Sequence, residues 1–126
     1  DSNDRLTRSS PFYSEKAFFK IKAKYIAKCL RERQRPGKEL WVWGASRRSR
    51  RWSGFLKEEG VRISAYIDIH RKKRELDHKI IYYKNLPSPE NIFILVYNRH
   101  HAQKKEIADF LIKRGYTEGL NYLFAG

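Results

Sequence analysis

Residues 40–69 read LWVWGASRRSRRWSGFLKEEGVRISAYIDI, and this stretch decides the fold class. It opens on an apolar run at residues 40–43 that Gly44 ends. A short run that is apolar throughout is typical of a strand covered on both faces. Residues 61–69 are rich in β-branched side chains and predict a second strand.

The residues between these two strands have the spacing of an amphipathic helix. Trp52, Phe55 and Leu56 share one face of a helix predicted over residues 46–59, and Gly60 is placed to end it. Strand, helix and strand together take about thirty residues, which is the size of a βαβ unit with parallel strands. The stretch therefore predicts the centre of a parallel sheet.

The remainder of the chain continues this alternation. Residues 79–83, 91–97 and 121–125 predict three more strands, and the run NIFILVY at residues 91–97 is the strongest strand signal. A helix is predicted over residues 101–114, ended by Gly115, with Ala102, Ile107, Phe110 and Leu111 facing inward. The order β-α-β-β-β-α-β predicts a small Rossmann-like α/β fold, with a mainly parallel sheet and helices on both faces.

The N-terminal part of the chain predicts a polar lead-in and one long helix. Residues 1–13 are assigned to the lead-in, with Ser14 as the N-cap of the helix and Pro36–Gly37 as its end. The apolar stripe of this helix is expected at Phe18, Ile21, Tyr25 and Cys29, flanked by Phe19, Ala23, Ile26 and Leu30. We expect two parts: residues 1–39 as lead-in and linker helix, and residues 40–126 as the α/β domain.

Composition narrows the classes of function. Apolar residues make up 40% of the 126 residues, which is enough to form a core. No stretch of about eighteen apolar residues occurs, so no membrane span is predicted. The chain has no methionine and begins with Asp1, so we expect a domain of a longer protein. Its formal net charge of +14 attracts anions such as phosphorylated ligands, anionic lipid or nucleic acid.

The turn after the first predicted strand is the first candidate for a ligand site. In a parallel sheet, ligands bind beyond the carboxyl ends of the strands, where the strand order reverses. Dinucleotide-binding folds carry G-x-G-x-x-G in this turn. Here Gly44 keeps the first glycine, whereas Ser46 and Ser49 stand at the second and third positions.

Small residues in this turn still allow a phosphate to approach the helix N-terminus, and Arg47 and Arg48 add positive charge. Asp68 ends the second strand, about two dozen residues further on, where an acidic residue binds ribose hydroxyls in dinucleotide folds. The ligand would be a nucleotide or a nucleotide-sugar, held by Gly44, Ala45, Ser46, Arg47, Arg48 and Asp68. The alternative, which we favour on the sequence, is a turn that only connects strand to helix.

The sequence predicts no catalytic residue and no metal site. Cys29 is the only cysteine, and the four histidines lack metal-binding spacing. The carboxylates form no D-x-D pair. A nucleic-acid interface is the third alternative, because arginines surround Trp52 in residues 47–52. Trp52 lies on the apolar face of its helix, however, so we assign it to the core and disfavour this alternative.

From Leu40 onward the chain resembles the C-terminal domain of bacterial family-2 glycosyltransferases. The similar segments are VWGAS at residues 42–46, GVRISAYID at 60–68, Leu-Pro at 86–87, IFILVYN at 92–98, and GYTEGLNYL at 115–123. Residues 5–28, RLTRSSPFYSEKAFFKIKAKYIAK, resemble the linker helix that joins this domain to that family's catalytic part. The chain departs from the pattern at Ser46, where the family has glycine, and at Ile80-Ile81-Tyr82-Tyr83, which lacks the family's Gly and Pro.

This resemblance implies a parent enzyme that transfers a sugar from a nucleotide-activated donor, in polysaccharide or glycoconjugate synthesis. The donor site and its D-x-D carboxylates would lie in an N-terminal catalytic domain that this chain does not include. The expected partner is thus that catalytic domain, with an anionic membrane surface or a phosphorylated ligand as further candidates. The expected location is cytoplasmic, or peripheral at the inner membrane.

Overall fold

The computed structural model describes residues 11–33, 38–70, 79–98 and 100–125. These residues form three α-helices, five strands and one short 3-10 helix. In chain order they are α1 (Pro11–Arg33), β1 (Glu39–Trp43), α2 (Arg47–Glu58), β2 (Ala65–Asp68), β3 (Ile80–Tyr82), the 3-10 helix (Tyr83–Asn85), β4 (Ile92–Val96), α3 (His101–Lys113) and β5 (Tyr122–Phe124).

The five strands form one sheet in the order β3-β2-β1-β4-β5, and every neighbouring pair is parallel. The predicted Rossmann-like α/β fold with a parallel sheet is therefore confirmed. All five residues of β4 are buried, as are the last four of β1. This burial explains why the central strands are apolar throughout, since helices cover both of their faces.

Side chains alternate between the two faces of the sheet, as strand geometry requires. On one face Leu40 and Val42 of β1 join a core formed with α1 and α2. On the other face Trp41 and Trp43 pack in a second core, to which α3 contributes Ile107 and Leu111. The protein thus has three layers, with two helices on one side of the sheet and one on the other.

Helix α1 corrects two sequence predictions. It begins at Pro11 rather than after Ser14, because proline fits the first turn of a helix, where its missing N–H has no acceptor. Its buried face is not the predicted stripe: Phe18, Ile21 and Tyr25 are exposed and Cys29 is half-buried. The buried residues are instead Phe19, Ala23, Ile26, Ala27 and Leu30.

This buried face packs α1 against α2. The ring of Phe19 stacks on Trp52 with 4.8 Å between ring centroids and 17° between planes. Ala23 and Ala27 have no bulk beyond Cβ, so the helix can approach its neighbours closely along this line. The helix and the sheet consequently share one continuous core. The predicted helix end at Pro36–Gly37 lies outside the described residues.

The other predicted elements exist but are shorter than expected. Strand β2 covers only Ala65–Asp68 of the predicted 61–69, and Ile69 beyond it is exposed. Ala102, predicted to face inward from α3, is exposed. It precedes Ile107 by five residues, which places it about 140° around the helix from that buried side chain. Helix α2 fits its prediction closely, with Trp52 and Leu56 buried and Gly60 after its end at a φ of +82°.

Candidate functional site

The strand order reverses between β1 and β4, so the fold places its switch point at the carboxyl ends of these two strands. Hydrogen bonds hold these ends together. The N–H of Tyr97, just beyond β4, donates to the carbonyl of Trp43 over 3.3 Å. The hydroxyl of Ser49 in α2 donates to the carbonyl of Tyr97 over 3.4 Å. The turn singled out in the sequence therefore lies at the switch point.

The turn between β1 and α2 is closely packed. Gly44 has a φ of +117°, which favours glycine. A Cβ atom added to Gly44 would lie 2.6 Å from the Oγ of Ser49. In a dinucleotide fold a glycine-lined turn lets the ligand's phosphates approach the backbone. In this chain Ser49, at the third glycine position, packs its side chain against Gly44, and Ala45 is also buried.

Ser46 is the N-cap of α2. Its hydroxyl accepts a hydrogen bond from the N–H of Ser49 over 3.2 Å and donates to the Ser49 hydroxyl over 3.1 Å. An anion at a helix N-terminus binds the N–H groups that lack intrahelical acceptors. One such N–H is already bonded to Ser46, which reduces what the helix offers a phosphate.

The two predicted arginines have different surroundings. Arg47 is exposed at the first position of α2. Arg48 reaches across to α1, where its Nη2 lies 2.9 Å from both carboxylate oxygens of Glu15. The charge of Arg48 is therefore balanced within the protein, and it joins α1 to α2 at the rim of the sheet.

Asp68 lies next to this turn, because β2 pairs with β1 and the N–H of Gly44 donates a hydrogen bond to the carbonyl of Ile67 over 2.9 Å. The Asp68 side chain is buried and accepts a hydrogen bond from the N–H of His70 over 3.0 Å. This bond closes a turn at the strand end, which is a common structural role of aspartate. The fold thus brings Asp68, Gly44, Ala45 and Ser46 to adjacent strand ends.

Two further residues of this rim, Tyr97 and Asn98, were not assigned to the site from the sequence. Tyr97 is buried just beyond the end of β4, and this burial raises the pKa of its phenol above the ordinary value. Asn98 follows it and accepts a hydrogen bond from the N–H of His100 over 3.1 Å, which shapes the entry to α3. Both residues directly follow the most apolar strand, which is expected at the centre of the sheet. This position was the signal that could have assigned them to the rim from the sequence.

Two clefts open at the opposite, amino end of the sheet. One has a volume of about 540 Å³ and lies beside Trp41, Asn85 and Asn91. The other, of about 410 Å³, is lined in part by the basic residues Arg31, Lys38 and Arg62. Neither cleft includes a residue of the predicted site.

The arginine cluster of residues 47–52 does not present an aromatic ring to solvent. Trp52 is buried and stacked on Phe19, as the sequence analysis expected, so it is not placed to stack on a base. Within the described ranges, no three His, Cys, Asp or Glu side chains come close enough to hold a metal ion. Nor does any helix of the described part have the length and apolar character to cross a membrane.

Comparisons with protein-family models, with curated proteins and with solved structures each find no match.

Proposed function

We propose that this chain is the accessory C-terminal domain of a nucleotide-sugar-dependent glycosyltransferase that acts in polysaccharide or glycoconjugate synthesis. Its location would be the cytoplasm, or the periphery of the inner membrane. The observation that carries the proposal is where the family-like segments fall in the fold. Residues 42–46 form the end of β1 and the cap of α2, residues 60–68 end on β2, and residues 115–123 form the turn into β5.

The packing of α1 supports a positioning role for the domain. The helix is fixed at its N-terminal end by the Glu15–Arg48 ion pair and further along by the Phe19–Trp52 stack. Helix α1 itself therefore keeps a fixed orientation relative to the sheet. In this proposal the part of the polypeptide that precedes α1 leads to the catalytic domain, which supplies the donor site.

The test is sugar transfer by the complete polypeptide that the gene encodes. Release of the nucleoside diphosphate is measured with UDP-, GDP- and dTDP-sugars and a set of acceptors. We expect release by the complete polypeptide and none by residues 1–126 alone. Phe19→Ala should lower the turnover by loosening α1, whereas Ile112→Ala, at an exposed site on α3, should leave it unchanged. Failure of the complete polypeptide to use any nucleotide-sugar would refute the proposal.

A second candidate function is binding of a nucleotide or nucleotide-sugar at the switch point. The observation that favours it is the convergence of Gly44, Ser46 and Asp68 beside the N-terminus of α2, where Arg47 is exposed. A ligand at 100 times its Kd stabilises the folded state by about 2.7 kcal/mol. The thermal midpoint is therefore measured with UDP-glucose, ATP and NAD, for the wild type and for Arg47→Glu. An unmoved midpoint with all three ligands removes this candidate and leaves the accessory role standing.

A further inference from the structure

The outward face of α1 carries a row of exposed apolar side chains. Phe18 is 54% exposed, Ile21 71% and Tyr25 68%. They are spaced by three and four residues, so they lie in one line along the helix. Single exposed apolar residues are common on protein surfaces, but three large ones aligned on one helix mark a contact surface. We refer to these three residues as the α1 stripe.

Basic residues border the α1 stripe. At about 100° of rotation per residue, one flank is formed by the exposed residues Lys24, Lys28 and Arg31. Lys20 is turned toward α2, where its Nζ lies 5.7 Å from the centre of the Phe55 ring. Lys22 lies on the other flank, with its Nζ 5.2 Å from the centre of the Phe18 ring. Among the described side chains of α1, the carboxylates are those of Glu15, which pairs with Arg48, and Glu32 near the end of the helix.

Lys22 adds to the positive charge beside the α1 stripe. It is half-buried, and this burial together with the nearby ammonium group of Lys104 on α3 lowers its pKa. An approaching anion would be attracted to Lys22 and to the basic residues of the other flank. The surface therefore combines apolar side chains with a positive potential.

We propose that the α1 stripe and its basic flanks bind the surface of an anionic phospholipid bilayer. In this arrangement α1 lies in the plane of the interface, the α1 stripe enters the headgroup layer, and the lysines reach anionic headgroups. Interfacial helices have this composition, with aromatic and aliphatic residues on one face and lysines beside them. The long lysine stems can also cover apolar surface while their charges stay at the lipid phosphates.

Other occupants suit this surface less well. A second copy of the chain would bring the same lysines and the same formal charge of +14 against the first, and the two would repel. A nucleic acid would use the basic flanks, but it offers no apolar layer for Ile21. The proposal goes beyond the accessory role in a glycosyltransferase, because it depends only on the surface of α1.

The experiment is co-sedimentation of the 126-residue chain with vesicles of phosphatidylcholine, either pure or containing 30% phosphatidylglycerol. We expect binding to the anionic vesicles and little to the neutral ones. The variant Phe18→Ser/Ile21→Ser/Tyr25→Ser should bind roughly 100-fold more weakly, about fivefold for each large apolar side chain that is half inserted. Its fold should persist, because these side chains are exposed, and circular dichroism checks this.

Matched control variants separate this surface from the general charge of the protein. Lys24→Gln/Lys28→Gln should weaken binding about 25-fold, or about fivefold per charge. Lys105→Gln/Lys113→Gln on α3 removes two exposed charges elsewhere and should have a much smaller effect. Ile112→Ser/Leu120→Ser is the apolar control, since both residues are more than half exposed.

Three results would overturn the proposal. The first is an equal loss of vesicle binding in the two lysine variants, Lys24→Gln/Lys28→Gln on α1 and Lys105→Gln/Lys113→Gln on α3, which would indicate attraction by net charge alone. The second is a dimer, seen by light scattering, that dissociates when the α1 stripe is changed to serine. The third is binding to duplex DNA at 150 mM salt that the α1 lysine variant abolishes while vesicle binding stays absent.

Discussion

Among the turn glycines that the structure describes, Gly44 is the one whose replacement by alanine should destabilise the protein most. At a φ of +117° an L-residue is strained, which costs about 1–3 kcal/mol. The new Cβ would also lie 2.6 Å from the Oγ of Ser49. Because Ser49 is buried and bonded to Ser46 and to the Tyr97 carbonyl, moving it weakens hydrogen bonds worth about 1 kcal/mol each. The expected total loss of unfolding free energy is about 2–5 kcal/mol.

Two other glycines provide controls for this value. Gly60 has a φ of +82° with nothing within 4 Å of an added Cβ, so Gly60→Ala carries the backbone strain alone, about 1–2 kcal/mol. Gly54 lies inside α2 with open space around it, and Gly54→Ala should stabilise the protein by about 0.5–1 kcal/mol. Ser49→Ala removes the nearer of the two contacts, so Gly44→Ala should cost less in that background.

The assay is equilibrium urea unfolding followed by tryptophan fluorescence. All three tryptophans are buried in the folded protein, so their emission changes on unfolding. A cost of Gly44→Ala no greater than that of Gly60→Ala would refute an added steric contribution at Gly44. An unchanged cost of Gly44→Ala in the Ser49→Ala background would also refute it, because the contact with Ser49 would then contribute nothing.

Three further predictions use the same assay. Leu111→Ala should lose about 2–5 kcal/mol of unfolding free energy because Leu111 is fully buried, whereas Ile112→Ala, on the exposed side of α3, should stay within about 0.5 kcal/mol of wild type. Glu15→Arg and Arg48→Glu should each lose less than about 1 kcal/mol, because Arg48 is 57% exposed, and the doubly swapped variant should recover the loss. Burial raises the pKa of Tyr116 to about 12 in the folded protein, so as the pH rises the phenol loses its proton in the unfolded state first. The free energy of unfolding should therefore fall between about pH 10 and 12, by up to about 1.4 kcal/mol per pH unit. Tyr116→Phe should reduce that slope; an unchanged slope would assign the alkaline loss to other groups.

The parallel sheet could be predicted because the central strands are apolar along their whole length. Residues 40–43 and 92–96 alternate between two faces that are both covered by helices, so every position requires an apolar side chain. Strand ends were less predictable. Residues 61–64 have strand-like composition, but β2 begins only at Ala65.

The members of the candidate site could also be predicted, but their interactions could not. The positions of Gly44, Ser46 and Asp68 follow from the ends of β1 and β2, which are local features. The pairing of Arg48 with Glu15 joins residues 33 positions apart, and nothing in the sequence distinguishes it from other Arg–Glu pairs. The contact of the Ser49 side chain with Gly44 likewise depends on the direction in which α2 runs from the end of β1.

Helix α1 separates most clearly what sequence alone determines from what the tertiary structure decides. Its period of 3.6 residues fixes two apolar lines, one through Phe18, Ile21 and Tyr25 and one through Phe19, Ala23 and Ile26. Periodicity is a property of the helix alone, so it cannot rank the two lines. The surface that α2 and the sheet present makes the choice: Trp52 offers a flat ring to Phe19, and the small side chain of Ala23 allows close approach. The sequence therefore determined that the helix is amphipathic, and only the packed structure decided which line is buried and which one faces outward.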